Sequence, residues 1–415
     1  MIPECPTNNT YSFSKEVENG LRRAEDEKPK RLALRKILIF YEYFLPAYKA
    51  GGPIQSIANL LKNSIEEYKF YIVCGDTDRG EAQTLNGILP DKWSDYDGGK
   101  ASVYYMSRKF RTKKNVRSLI KSVEPDLIFI NGLYSIPFSV IPVWCSKCKT
   151  ILSVRGMLHP GALAQKSWKK IPFFFLFRFF GFHKKVIFHA TDKKEQQHVI
   201  NAFGENVQIM IAGNYPKVND FMPAPSQGCE LVLGSIGLIS PMKNHLLVLK
   251  ALLNCKNKIH YKIFGPIKDK NYWEQCLLVI QKLPENIRVT YGGEVPPSLV
   301  EDKLKEVHYF ILPSKSENFG HAFFEALSGG RPVITSHYTP WNNLLENKAG
   351  INVEISDINS ISDAIEFAAM QSAEEFDEWS FAARKFALSK VDFVAIKEQY
   401  TKLFSTLDYR KKIAI

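Results

Sequence analysis

Two glutamates, Glu317 and Glu325, stand with seven residues between them in the stretch Leu312 to Trp341, LPSKSENFGHAFFEALSGGRPVITSHYTPW. Glu317 falls in a polar loop that closes on Gly320. Glu325 falls inside His321 to Ser328, where Ala322, Phe323, Ala326 and Leu327 have the 3–4 spacing of a helix with one buried face. At 1.5 Å per residue, Glu325 lies about 7 Å along the axis from Gly320. Between the acids is a helix N-terminus, whose free N–H groups favour anions. A nucleoside diphosphate sugar has parts in the same order, with the sugar meeting Glu317, the diphosphate the amides near Gly320, and the ribose Glu325. The same spacing also describes a surface loop and an amphipathic helix with a solvated glutamate, so the two carboxylates alone do not choose.

The flanking residues add specificity. PSKSENFGHAFFEALSGGRPVI, with Pro313, Ser314, Phe319, Gly320, Ala326, Pro332 and the trailing Thr339-Pro340-Trp341, resembles the donor-binding E-x7-E segment of retaining nucleotide-sugar glycosyltransferases of the GT-B fold, specifically glycosyltransferase family 4. The resemblance covers most of Lys36 to Leu407. It implies that Glu317 orients donor hydroxyls, that Glu325 holds the ribose, and that Asn318, Phe319, Gly320 and His321 belong to the donor site. It implies transfer with retention and no required metal. Relatives of this pattern build surface polysaccharide and lipopolysaccharide.

Other stretches bear on the same chemistry. Lys243 precedes a helical pattern and can neutralise a diphosphate leaving group, although a surface lysine reads the same way. The family carries an arginine and a lysine in this segment. Lys243 matches the lysine, and Leu238 stands at the arginine position. Gly51 and Gly52 follow the first strand and open a backbone loop to close approach by a ligand; a tight turn is the alternative. They do not form G-x-G-x-x-G. The resemblance places such a loop at the interdomain cleft, near phosphate and acceptor. Ser153 to Leu163 resembles the family's S-P-x-G-M-L-x-P-x-A-L, with Val154 for proline. In it Arg155 can pair with phosphate or developing charge and His159 can contact the acceptor, each against a purely structural hydrogen bond. Gly265 ends a strand on the side where the base and sugar would sit.

Two aspartate pairs, Asp76-Thr-Asp78 and Asp95-Tyr-Asp97, have the spacing of a metal-bound sugar-nucleotide motif, but solvated loops produce it as readily. Cys145-Ser-Lys-Cys148 lacks the second half of a zinc site. The seven cysteines form no recognisable disulfide framework.

These segments need elements to hold them. Thirteen short apolar runs read as strands, from Arg35–Tyr41 to Ile351–Val353, alternating with helical patterns. Such alternation implies doubly wound α/β domains with ligands at the strand C-terminal ends. The expected architecture is GT-B: two Rossmann-like domains facing a cleft. The expected divisions are a polar leader over 1–30, an acceptor domain over 31–215, a linker over 216–228, a donor domain over 229–392, and a C-terminal helix over 393–415 returning to the first domain.

Composition bounds the rest. Of 415 residues, 45% are hydrophobic and 24% charged, which is ordinary for a globular protein. No apolar run is long enough to span a bilayer, and Met1 to Lys30 lacks a signal-peptide core. The expected location is the cytoplasm, docked peripherally on the inner face of its membrane. Residues 31–215 hold 27 Lys and Arg against 14 Asp and Glu. Nucleic acid, anionic lipid and phosphorylated substrates all fit that excess; without a recognition motif, nucleic acid is not expected as a partner. Within Lys166–Lys185, Pro172 to Phe182 holds seven phenylalanines, and no acid occurs between Arg155 and Asp192. Such a helix either lies in a membrane interface or packs on the sheet with its lysines snorkelling. The combined expectation is a transferase moving a sugar from a nucleoside-diphosphate sugar to a glycan or lipid-linked acceptor. A catalytically silent sugar-nucleotide binder is the alternative.

Overall fold

The structure, a computed structural model, describes residues 34–63, 68–99, 101–164, 167–222 and 230–405. The expected leader and the end of the expected linker lie outside these residues.

Among the described residues, fourteen strands form two sheets. The first holds β1 (Arg35–Phe40), β2 (Tyr68–Gly75), β3 (Trp93–Tyr96), β4 (Ala101–Met106), β5 (Leu127–Asn131), β6 (Lys149–Ser153), β7 (Ile187–Ala190) and β8 (Gln208–Ile211), in the order β3-β4-β2-β1-β5-β6-β7-β8. The second holds β9 (Leu231–Ile236), β10 (Ile259–Phe264), β11 (Ile287–Tyr291), β12 (Tyr309–Ile311), β13 (Val333–Ser336) and β14 (Gly350–Val353), in the order β11-β10-β9-β12-β13-β14. Every pairing is parallel except β3 with β4. Parallel strands covered on both faces require near-continuous apolar runs. Leu38-Ile39-Phe40 and Ile128-Phe129-Ile130 meet that requirement, each residue being wholly buried.

The crossover helices of the first domain are α1 (Gly52–Lys62), α2 (Lys113–Val123), α3 (Ile141–Cys145), α4 (Pro160–Ala164), α5 (Ser167–Phe179), α6 (Phe182–Lys185) and α7 (Lys193–Phe203). The second domain adds α8 (His245–Leu252), α9 (Lys270–Ile280), α10 (Val300–Lys305), α11 (His321–Ser328), α12 (Ile358–Met370) and α13 (Ala373–Lys390). The last helix, α14 (Phe393–Ser405), crosses back to the first sheet. Its Phe404 ring sits edge-on to Tyr68 and Phe129 at 5.5 and 5.7 Å, and Lys149 Nζ donates to the Leu403 carbonyl at 2.7 Å.

Two stretches read as loop or linker hold more structure. Asp95 of Asp95-Tyr-Asp97 belongs to β3, an antiparallel edge strand whose alternating exposure hides it from a search for buried runs. Residues of the expected linker bond to the second domain. Asn219 donates to Ser328 Oγ and to the Glu325 carbonyl, both at 3.1 Å, and Met222 N donates to the Gly329 carbonyl at 3.0 Å.

Candidate functional site

A doubly wound sheet has a switch point, where loops from neighbouring strands leave toward opposite faces and open a crevice. In the second sheet that point lies between β9 and β12. The β9 loop carries Gly237, Leu238 and Lys243, and the β12 loop carries Glu317 to Gly320. In the first sheet it lies between β1 and β5. The β1 loop carries Tyr48 to Gly52, and the neighbouring β6 loop carries Arg155. The two crevices face one another across a single cavity of about 340 Å³, lined by Gly51, Gly52, Arg155, Lys243, Gly265, every residue from Glu317 to Phe323, and Glu325. That volume is within the range of small-molecule sites.

The start of α11 is built by glycine. Gly320 is left-handed (φ 76°), and a Cβ there would sit 2.5 Å from the Phe323 ring. Trp341 Nε1 donates to the Phe319 carbonyl at 2.8 Å and fixes the turn. His321 and Ala322 lie in the first helical turn, where no carbonyl four residues back can accept their amides. Glu325, one turn on, is buried, and burial pushes its carboxyl up to about 7, with Lys217 acting in the opposite sense.

Lys243 is set by a turn, its amide donating to Ser240 O at 3.0 Å before left-handed Asn244 (φ 65°) starts α8. Its ammonium donates to Glu317 Oε1. Leu238 lines the same cavity, so the β9 loop presents one cation there and no guanidinium.

The guanidinium comes from the opposite wall. Arg155 is buried and left-handed (φ 49°). Its Nε donates to Asn131 Oδ1 at 2.9 Å and its Nη1 to Asn214 Oδ1 at 2.8 Å, while its Nη2 is buried with no partner. A buried cation is costly unless paired, yet both of these acceptors are neutral amides. Glu195 holds the loop by its backbone. One carboxylate oxygen accepts from Gly156 N, and the other from Thr191 N at 2.7 Å and Thr191 Oγ1 at 2.8 Å.

A polar relay joins the two domains behind the cavity. Ser56 Oγ reaches Asn214 Oδ1 at 3.0 Å and His321 Nε2 at 2.9 Å. The one Ser56 hydroxyl proton has both Asn214 Oδ1 and the Gly52 carbonyl, at 3.2 Å, as acceptors. Burial, and then Arg155, push the His321 imidazole down to about 3, so it is neutral at pH 7. At the mouth, Lys49 Nζ pairs with Glu294 at 2.9 Å and Glu81 at 2.7 Å, and Tyr48 donates to Glu294 at 3.0 Å.

The glycines have distinct reasons. Gly51 is left-handed (φ 78°) ahead of α1. A Cβ on Gly265 (φ 133°) would lie 1.9 Å from the Gly237 carbonyl, so only glycine lets the β9 and β10 loops touch. His159 stands apart from the other sequence candidates: it does not line the cavity. Its Nδ1 accepts from Gly161 N at 3.1 Å, its Nε2 lies 3.4 Å from Ser316 Oγ, and its ring meets His198 edge-on.

The alternative metal pair is used structurally. Asp78 accepts from the amides of Tyr48 at 2.9 Å, Lys49 at 3.2 Å and Arg79 at 2.7 Å, shaping the glycine loop. Asp76 accepts from Arg111 Nη2 at 3.1 Å. Among the described residues no group of three or more His, Cys, Asp or Glu could hold a metal. Sequence reasoning missed Ser56, Asn214, Glu195 and Lys49. Only Lys49, next to the glycine pair, carried a local signal.

Residues 217–386 match the family described as glycosyl transferases group 1. The O-antigen chain mannosyltransferase B of Escherichia coli is 24% identical over 210 residues, 47% of this chain and 53% of that relative. The chain thus spans about half the length of the curated relative it matches. The Anabaena protein HepE, solved in complex with UDP and glucose, superposes over 90% of this chain and 100% of its own, with TM-score 0.67 and 17% identity. The sucrose-phosphate synthase of Thermosynechococcus elongatus covers 92% of this chain and 99% of its own, with TM-score 0.66 and 15% identity. The architecture is GT-B, and residues 217–386 are similar to the group 1 glycosyl transferases.

Proposed function

We propose that this chain transfers a glycosyl residue from a nucleoside-diphosphate sugar to a hydroxyl acceptor with retention of anomeric configuration, without a required metal. The observation that carries this reading is the convergence, on one cavity, of Glu317 with Lys243, the Gly320 helix start, Glu325, and Arg155 from the first domain. In this reading Lys243 and the first-turn amides of α11 hold the diphosphate and stabilise its charge as it leaves. Arg155 faces it from the first domain and supplies the second cation that Leu238 does not. Glu325 accepts from the ribose hydroxyls and Glu317 from those of the sugar. Gly51 and Gly52 leave room for the acceptor, whose hydroxyl attacks from the leaving-group face. The E. coli relative's name supports a glycan acceptor in surface polysaccharide synthesis; in this reading that acceptor is lipid-linked and the chain works at the inner face of the cytoplasmic membrane.

Turnover of donor into product, measured in excess chelator, tests the reading. The wild type is expected to keep its rate, and Glu317→Ala and Glu325→Ala are each expected to lose at least ~100-fold, the scale of removing one preorganised polar partner. Donor binding without transfer to any acceptor would instead make the chain a silent sugar-nucleotide binder.

A further inference from the structure

The aromatic helix α5 divides its rings between two faces. Phe177 is buried, and Phe173 and Phe174 are half-buried against the first sheet's core. On the opposite face, Trp168, Ile171, Phe175 and Phe179 are 71%, 68%, 68% and 73% exposed. Their spacing of 3 and 4 aligns them in one stripe. The stripe continues through contacts between rings: Phe175 stacks on Phe179, Phe179 meets Phe180 edge-on, and Phe180 stacks on Trp144 of α3. Basic residues border it. Lys113 of α2 sits 3.6 Å from the centroid of the Trp144 ring, and Arg178, Lys184 and Lys185 are exposed beside the stripe.

We infer that this stripe lies in the headgroup region of an anionic phospholipid bilayer, with α5 parallel to the surface. Thirteen residues span about 20 Å at helical rise, and no described helix is long and apolar enough to cross. An in-plane helix with Trp and Phe on one side and Lys and Arg around them is the form that inserts into an interface. Charge selects lipid over a second copy of the chain. A two-fold interface through the stripe would set like-charged rims against each other, whereas an anionic leaflet neutralises them. Through α4 the helix joins the loop that carries Arg155, and Lys170 Nζ donates to the Ala162 carbonyl, so the surface is tied to the acceptor side of the cavity.

The inference rests on the membrane placement in that reading and names the surface that carries it; its test is read separately from glycosyl transfer. The full chain is sedimented with vesicles of phosphatidylglycerol and phosphatidylcholine in equal parts, and with phosphatidylcholine alone. Binding is expected to the anionic vesicles, to weaken with salt, and to fall by roughly tenfold or more in the double variant Phe175→Ser, Phe179→Ser, as insertion of apolar side chains requires. Nucleotide binding by that variant, measured in parallel, is expected to be unchanged, which excludes misfolding. Equal binding to neutral vesicles, or none to either, would overturn the inference. So would a wild-type dimer that the double variant dissociates while neither protein binds vesicles.

Discussion

Burial leaves the Glu325 carboxyl only partly ionised near pH 7, and its proposed work requires the ionised form. Its ordinary range lies well below, and burial raises it to about 7. Ribose hydroxyls donate, so they bind the carboxylate; below pH 7 binding must first release a proton. Donor affinity is therefore expected to weaken as pH falls through 7, by up to about tenfold per unit. Calorimetric titration with a nucleoside diphosphate at pH 8 and pH 6 measures this. Glu325→Gln is expected to bind weakly and without that dependence, and a wild type with the same affinity at both values would remove Glu325 from the ribose. The carboxylates and Lys243 were legible from spacing and flanking residues. Arg155 was legible only as one of two readings. Its place on the cavity wall supplied by the first domain is a fact of tertiary contact that no local pattern carries.

At the scale of elements, the loop-to-helix unit from Glu317 to Ser328 was readable because its signals are local: a polar loop, a glycine, then helical spacing. Gly320 supports it in two ways, by its positive φ and by the space its missing Cβ leaves to Phe323. Gly320→Ala is expected to destabilise the protein by about 1–3 kcal/mol through backbone strain and to displace the first-turn amides. Urea unfolding alongside donor titration checks this; an alanine variant with unchanged stability and affinity would show that the turn is not set by this residue. The relay through Ser56, Asn214 and His321 was not readable. Its members lie 158 and 265 residues apart, and no periodicity links a helix of one domain to a helix start in the other. Edge strand β3 was missed for the opposite reason, since its half-exposed residues lack the buried run that marked the other strands.

Over the whole molecule, the doubly wound pattern made the two sheets legible, because parallel strands must be apolar throughout. The loop after β8 was less so: it reads as linker yet packs Asn214 into the relay and Asn219 under α11. Burial also gives the folded protein a pH signature. His189, His245 and His321 are pushed down to about 3, each mainly by desolvation. Below about pH 6.5 the unfolded chain takes up protons these imidazoles refuse, so stability falls as pH drops toward 3. Each contributes up to about 1.4 kcal/mol per unit. Glu325 acts in the opposite sense between 7 and its ordinary value, because the folded state keeps its proton. Three imidazoles outweigh one carboxyl, and a net loss on the order of 2–3 kcal/mol is expected between pH 6.5 and 5.5. A urea midpoint that does not move over that range would contradict it.

The most direct measurement is a calorimetric screen of uridine-, guanosine- and cytidine-diphosphate sugars against the wild type and Glu325→Ala. One base class is expected to bind the wild type and to lose roughly tenfold or more in the variant, the cost of removing a charged hydrogen-bond partner. Binding of that donor with equal affinity to both proteins, or binding of none of the three to the wild type, would contradict a nucleotide-sugar site between Glu317 and Glu325.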